Sequence, residues 1–172
     1  MSFWVALVLL VLNTQKIAAS EVDIYQQYAL DVQSYLVVEQ SWVYFNLEQA
    51  QEDGLSQEVI DFGMALEQFS QEYNTAQFSN RQLRNIVWEV HGHYCGPGHD
   101  GNNFTASPQD LLDEGCRRHD LCFQGMGFRR NCQCNKELVD YIDRNYHAMP
   151  DGAKWKATLI KSYFATAGQL GC

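Results

Sequence analysis

The chain has 172 residues, a formal net charge of −9 and six cysteines. That length suits one modest domain, or one domain with an accessory segment. The acidic balance argues against a nucleic-acid partner, since no basic surface large enough to follow a phosphate backbone is implied.

In chain order, an apolar run over residues 3–12 is followed by polar Asn13, Thr14, Gln15 and Lys16 and then by small Ala18, Ala19 and Ser20. This pattern predicts a secretory leader over residues 1–20, because about ten apolar residues are too few for a bilayer span. The expected mature protein is soluble and extracellular, where six cysteines pair as disulfides rather than bind zinc.

Residues 21–80 hold eleven acidic side chains and no lysine or arginine, whereas residues 81–172 hold eleven basic and ten acidic ones. The change in balance predicts a boundary near residue 80, with an acidic helical accessory segment before it. Tyr25, Tyr28, Ala29, Val32 and Leu36 fall at helical spacing. Gly54 interrupts, Ser56 is a candidate N-cap, and Val59, Phe62, Leu66, Phe69 and Tyr73 form a second apolar stripe. The two predicted helices read as an acidic hairpin. Ser79 and Gln82 have the form of a capping box before a third helix carrying Leu83, Ile86, Val87 and Val90. Arg81-Gln82-Leu83-Arg84 is either a processing site that releases a propeptide or a pair of exposed helix arginines.

The periodicity then gives way to a glycine- and histidine-rich loop over residues 91–103, with a glycosylation sequon at Asn103-Phe104-Thr105. Ser107 and Pro108 predict the next helix start, with serine as cap and proline at the first position. That helix runs through Cys116, His119 and Cys122 to the glycines at 125 and 127. A further helix is expected from Asn131 to about Tyr146, and a last one after Pro150 carries Trp155, Leu159, Ile160 and Tyr163. The predicted fold class is all-α, and no strand is predicted.

Two stretches carry the chemistry: Tyr94-Cys95-Gly96-Pro97-Gly98, and Cys116-Arg117-Arg118-His119-Asp120-Leu121-Cys122. A bond between Cys95 and Cys116 would staple the glycine-rich loop one helical turn from Asp120. Backbone carbonyls would then stand beside a carboxylate, the oxygen set that calcium prefers. A bond from Cys122 to Cys134 would hold the next helix against His119 and bring Asn135 or a neighbour behind its ring. Cys132 and Cys172 are left to pair by elimination.

The two stretches together resemble the secreted, calcium-dependent phospholipase A2 superfamily. Its calcium loop reads Tyr/Trp-Cys-Gly-x-Gly, and its catalytic helix reads Asp-x-x-Cys-x-x-His-Asp-x-Cys, matched here from Asp113 to Cys122. The resemblance covers roughly residues 94–146 and implies a disulfide-stapled core of two long antiparallel helices plus the calcium loop, within a domain over residues 81–172. It also implies the Cys95–Cys116 pairing. His119 would be the general base that activates water against the sn-2 ester of a glycerophospholipid. Calcium would be held by the carbonyls of Tyr94, Gly96 and Gly98 and by Asp120, with the Gly96 amide as a further oxyanion donor. The implied partner is a phospholipid aggregate or membrane surface, met peripherally.

Three positions depart from the family pattern. Asn135 stands where an aspartate usually orients the histidine, His99 where many members have glycine, and Phe123 where tyrosine is common. A neutral Asn135 stabilises the imidazolium less, so Asn135→Asp is expected to raise the rate. The rival reading is a phospholipase-like binding protein or toxin-type module with weakened turnover.

Overall fold

The computed structural model describes residues 23–78, 91–124 and 131–170. The expected leader, the third predicted helix with Arg81 and Arg84, the glycines at 125 and 127, and Cys172 lie outside the described residues.

Asp23 opens the first helix, α1 (Ile24–Asp31), by accepting the Tyr25 amide at 3.0 Å. The helix stops at Asp31 instead of continuing through Leu36, which corrects the reading of a single helical stripe. A β-hairpin comes next, β1 (Leu36–Glu39) and β2 (Trp42–Phe45), paired antiparallel with Leu36 opposite Phe45 and Val38 opposite Val43. Valines and aromatics fit a pleated, half-buried surface better than a helix, and here they prevail over the local helical spacing. Val43 and Phe45 face inward and are buried. The expected helical hairpin is therefore interrupted by strands.

A short helix, α2 (Leu47–Glu52), leads through Gly54 into the long α3 (Gln57–Phe78). Ser56 accepts the Val59 amide at 3.4 Å, as its place before the apolar stripe predicts. Val59, Phe62, Leu66 and Phe69 are buried and Tyr73 is half-buried, so the stripe is the inner face of α3.

In the second half, α4 (Leu111–Gln124) and α5 (Asn131–Asn145) are joined by the Cys122–Cys134 disulfide at one end. Near the other end Gly115 of α4 meets Tyr141 and Leu138 of α5, so the two helices run antiparallel. A 3-10 turn (Tyr146–Ala148) precedes α6 (Asp151–Ala165), and the short α7 (Ala167–Leu170) follows it. The start of α4 differs from expectation. Its cap is Asp110, whose Oδ1 accepts the amides of Leu112 and Asp113 at 2.9 and 3.1 Å. A carboxylate this close to the helix start satisfies two orphan amides at once and favours the positive end of the helix dipole.

One apolar core runs through both halves, from Val32, Val43 and Phe69 to Leu112, Ile142 and Phe164. Polar contacts reinforce the join. The Ser41 carbonyl accepts Asn74 Nδ2 at 2.7 Å and the Tyr163 hydroxyl at 3.1 Å. Tyr146 donates to Asp23 at 2.8 Å. Burial keeps these phenols protonated, with the pKa of Tyr163 pushed up to about 12. Among the described residues no helix is long and apolar enough to cross a membrane.

Candidate active site

The glycine-rich loop is held in place mainly by one side chain. Asp113, in the first turn of α4, is fully buried, and its Oδ1 accepts the amides of His93 and Tyr94 at 3.0 and 2.8 Å. Its Oδ2 takes the amide of Gln109 at 2.8 Å. Gly92 permits this approach: its φ is +63°, and a Cβ there would stand 2.3 Å from the Asp113 carboxyl carbon. His91 and Cys95 exchange backbone hydrogen bonds of 3.1 Å in both directions, closing the base of the loop. His91 Nε2 also lies 2.7 Å from Asp110, the residue that caps α4. The Cys95–Cys116 disulfide then fastens the loop to the middle of α4. Beyond the loop, residues Gly101–Phe104 form a left-handed helical turn with φ values of 56° to 64°.

Cys95 and Cys116 thus pair as the resemblance implies, and Cys122 pairs with Cys134, the bond that would hold the next helix against His119. Cys132 is also disulfide-bonded, while the expected partner, Cys172, lies outside the described residues.

His119 is 7 % exposed, with its ring wedged between Phe123 and Phe164 at centroid distances of 4.7 Å each. Behind it stands Asn135, the fifth residue of α5. Asn135 Nδ2 donates to the Gly168 carbonyl at 2.5 Å, so its Oδ1 is turned toward His119 Nε2, 2.8 Å away. An amide oxygen only accepts, so Nε2 carries a proton, and in the neutral ring Nδ1 keeps its lone pair. In the neutral ring Asn135 therefore favours the tautomer with its proton on Nε2. Gly168 makes this possible by having no side chain, since a Cβ would come within 2.9 Å of the Phe164 ring.

Nδ1 of His119 lies 3.8 Å from Oδ1 of Asp120. The other oxygen of Asp120, Oδ2, is shut away from solvent with no hydrogen-bond partner. Burial pushes the Asp120 pKa up to about 6, against the pull of the neighbouring imidazole. A buried, unsatisfied carboxylate oxygen is costly, and a cation is one way to satisfy it.

No family model matches the chain, and neither curated proteins nor solved structures yield a match. The case for a function therefore rests on the geometry and on the motif resemblance.

Tyr94, Gly96, His119 and Asp120 line one small cavity, so four of the sequence-selected site residues converge. Gly98 is exposed and does not line it. Among the described residues the carbonyls of Tyr94 and Gly98 accept no backbone hydrogen bond, while that of Gly96 takes the amide of His99 at 3.1 Å. A carbonyl oxygen has two lone pairs, so Gly96 keeps one for another partner. The donor set of carbonyls and one carboxylate fits a hard cation such as calcium. Among the described residues no three His, Cys, Asp or Glu side chains form a metal-sized cluster, which sets this arrangement apart from a side-chain-only site.

Sequence reasoning missed what Asp113, Gly168, Phe164 and the α3 residues Phe69 and Tyr73 contribute. Asp113 had a legible signal, an acidic residue one turn before the stapled cysteine. Gly168 had none, since a carbonyl that works through a distant amide leaves no local pattern.

Proposed function

We propose that this protein is a secreted, calcium-dependent phospholipase A2 that hydrolyses the sn-2 ester of glycerophospholipids to a lysophospholipid and a fatty acid. One observation carries the reading: His119 Nε2 is bound to Asn135 Oδ1 at 2.8 Å, and the Asn135 amide is itself oriented by Gly168. This leaves Nδ1 free as a base beside Asp120, at the cavity that Tyr94 and Gly96 also line.

His119 takes a proton from water at Nδ1, and the water oxygen attacks the ester carbonyl. The protonated ring then returns the proton to the departing alkoxide. Throughout, Asn135 holds the ring by its Nε2 proton, so the base does not rotate or change tautomer. The Gly96 amide would donate to the developing oxyanion. Tyr94, Gly96 and Gly98 carbonyls and the Asp120 carboxylate would hold calcium, which supplies electrostatic stabilisation of phosphate and oxyanion charge. Disulfides joining loop to helix and helix to helix fit an oxidising compartment and a secreted protein.

The rival, a phospholipase-like protein that binds lipid without useful turnover, is favoured by the neutral partner of His119. An amide stabilises the imidazolium less than a carboxylate does, which slows the step in which the ring is charged. Fatty-acid release from mixed phospholipid–detergent micelles, with calcium or with chelator, separates the two. The hydrolase reading expects calcium-dependent release that His119→Gln abolishes; equal, negligible rates in both proteins would leave only the binding reading.

A further inference from the structure

The sequon Asn103-Phe104-Thr105 has no part in the proposed chemistry, and it is the single Asn-x-Ser/Thr triplet of the chain. It lies on the left-handed turn just beyond the glycine-rich loop, and hydrogen bonds close that turn. The Gly101 amide donates to the His93 carbonyl at 3.1 Å, and the Ala106 amide to the Gly101 carbonyl at 2.8 Å. Phe104 is half-buried and sets its ring against Tyr94 at a centroid distance of 5.9 Å. Asparagine visits the left-handed region more readily than most side chains, which suits positions 102 and 103.

The two asparagines differ in what their side chains do. Asn102 Nδ2 donates to the Thr105 hydroxyl at 3.3 Å, so its amide belongs to the turn. Asn103 is exposed, and only its backbone amide is engaged, donating to Asp100 Oδ1 at 3.0 Å. Among the described residues its side-chain amide has no hydrogen-bond partner. A sugar on Asn103 Nδ2 therefore breaks no contact of the fold and projects into water. The two disulfides fit the compartment in which such sugars are attached.

We propose that Asn103 carries an N-linked glycan, attached before the turn closes. The donor is an oligosaccharide held on a lipid pyrophosphate. Asn103 Nδ2 loses one proton and bonds to the anomeric carbon of the first sugar. The bond from that carbon to the pyrophosphate oxygen breaks, and the lipid pyrophosphate leaves with the electron pair. The Thr105 hydroxyl is the group that a transferase reads in such a triplet. In the folded turn that hydroxyl donates to the Asn102 carbonyl at 2.7 Å and receives the Asn102 amide. It is no longer free once the turn has formed, so transfer comes first and closure second. The proposal rests on the secreted part of the reading above and not on hydrolysis.

The test is peptide mass spectrometry of the full chain made in eukaryotic cells, under its own expected leader and under an added leader of established efficiency. Each sample is compared with and without a glycosidase that removes N-linked glycans and converts the acceptor asparagine to aspartate. Most molecules should carry the glycan at Asn103 under either leader. Thr105→Ser should keep it, whereas Thr105→Ala and Asn103→Gln should lose it. A reductant in the medium, which keeps Cys95 from joining Cys116 and the loop open, should leave occupancy unchanged or raise it. A fall in occupancy overturns the order of events. Asn103 bare under the added leader overturns the site. A glycan under the added leader alone removes the secretion reading and retains the site.

Discussion

Residues 23–78 carry ten carboxylates, no lysine or arginine and no cysteine. Residues 91–170 carry the disulfides described and all the ion pairs found among the described residues. One region is cross-linked and charge-balanced. The other depends on apolar burial, helix caps and a few buried polar contacts. Yet the two share one core, and the less constrained region supplies a wall of the candidate site. The contrast teaches that covalent rigidity is concentrated around the loop and the histidine, while the opposite wall, which has no cysteine, is held by packing and a few buried polar contacts.

The sharpest way to break the comparison is at the proposed base. His119→Gln should lower micelle hydrolysis at least a hundredfold while leaving the thermal transition nearly unchanged. The join between the regions comes next: Phe69→Ala removes a ring buried against Tyr163 and should cost about 3–5 kcal/mol in denaturant unfolding. If residues 23–78 were merely appended, that variant would melt in two steps with the cross-linked half intact. Asp113→Asn should cost about 2 kcal/mol, because a charged acceptor for three amides becomes a neutral one. It should also weaken calcium affinity by loosening the loop, which titration calorimetry would register.

The Asn135→Asp expectation changes in the light of the structure. The substitution would give His119 a charged partner, but it would also set a carboxylate oxygen against the Gly168 carbonyl, where a donor now sits. Stability should fall by about 1–3 kcal/mol, offsetting any gain in rate; an increased melting temperature would refute the role given to Gly168. The smallest effect is expected at Ser56→Ala, about 1 kcal/mol from the lost cap of α3, read by thermal unfolding.

Much of the helical framework was legible because its signals are local. The α3 stripe, the Ser56 cap and α4 through α6 each follow from spacing and punctuation within a few residues. The hairpin was not, for a physical reason. Val32 and Leu36 fit helical spacing with Tyr25 and Tyr28, and the turn uses Gln40 at φ +57° instead of the Asn-Gly or Asp-Gly that marks a tight turn. Only the pairing of Val37 and Val38 with Val43 and Tyr44 decides for strands, and pairing is not a local property. At α4 two caps competed, and Ser107 carried the more familiar signature before a proline. Asp110 prevails because one of its oxygens reaches two helix amides while the other meets His91. Within the candidate site, His119, Asp120 and the loop were legible from motif spacing. The aromatic wall was not, since Phe69 and Tyr73 look like any core stripe until the chain folds back upon itself.

The contacts of His119 with two phenyl rings make the residue a reporter as well as the proposed base. Ring currents from Phe123 and Phe164 displace the imidazole proton resonances from their usual positions. Phe164 also meets Tyr73 edge-on at 5.1 Å. A proton magnetic-resonance spectrum of this one histidine would therefore register a change in the position of α3, with no label and no substrate turnover.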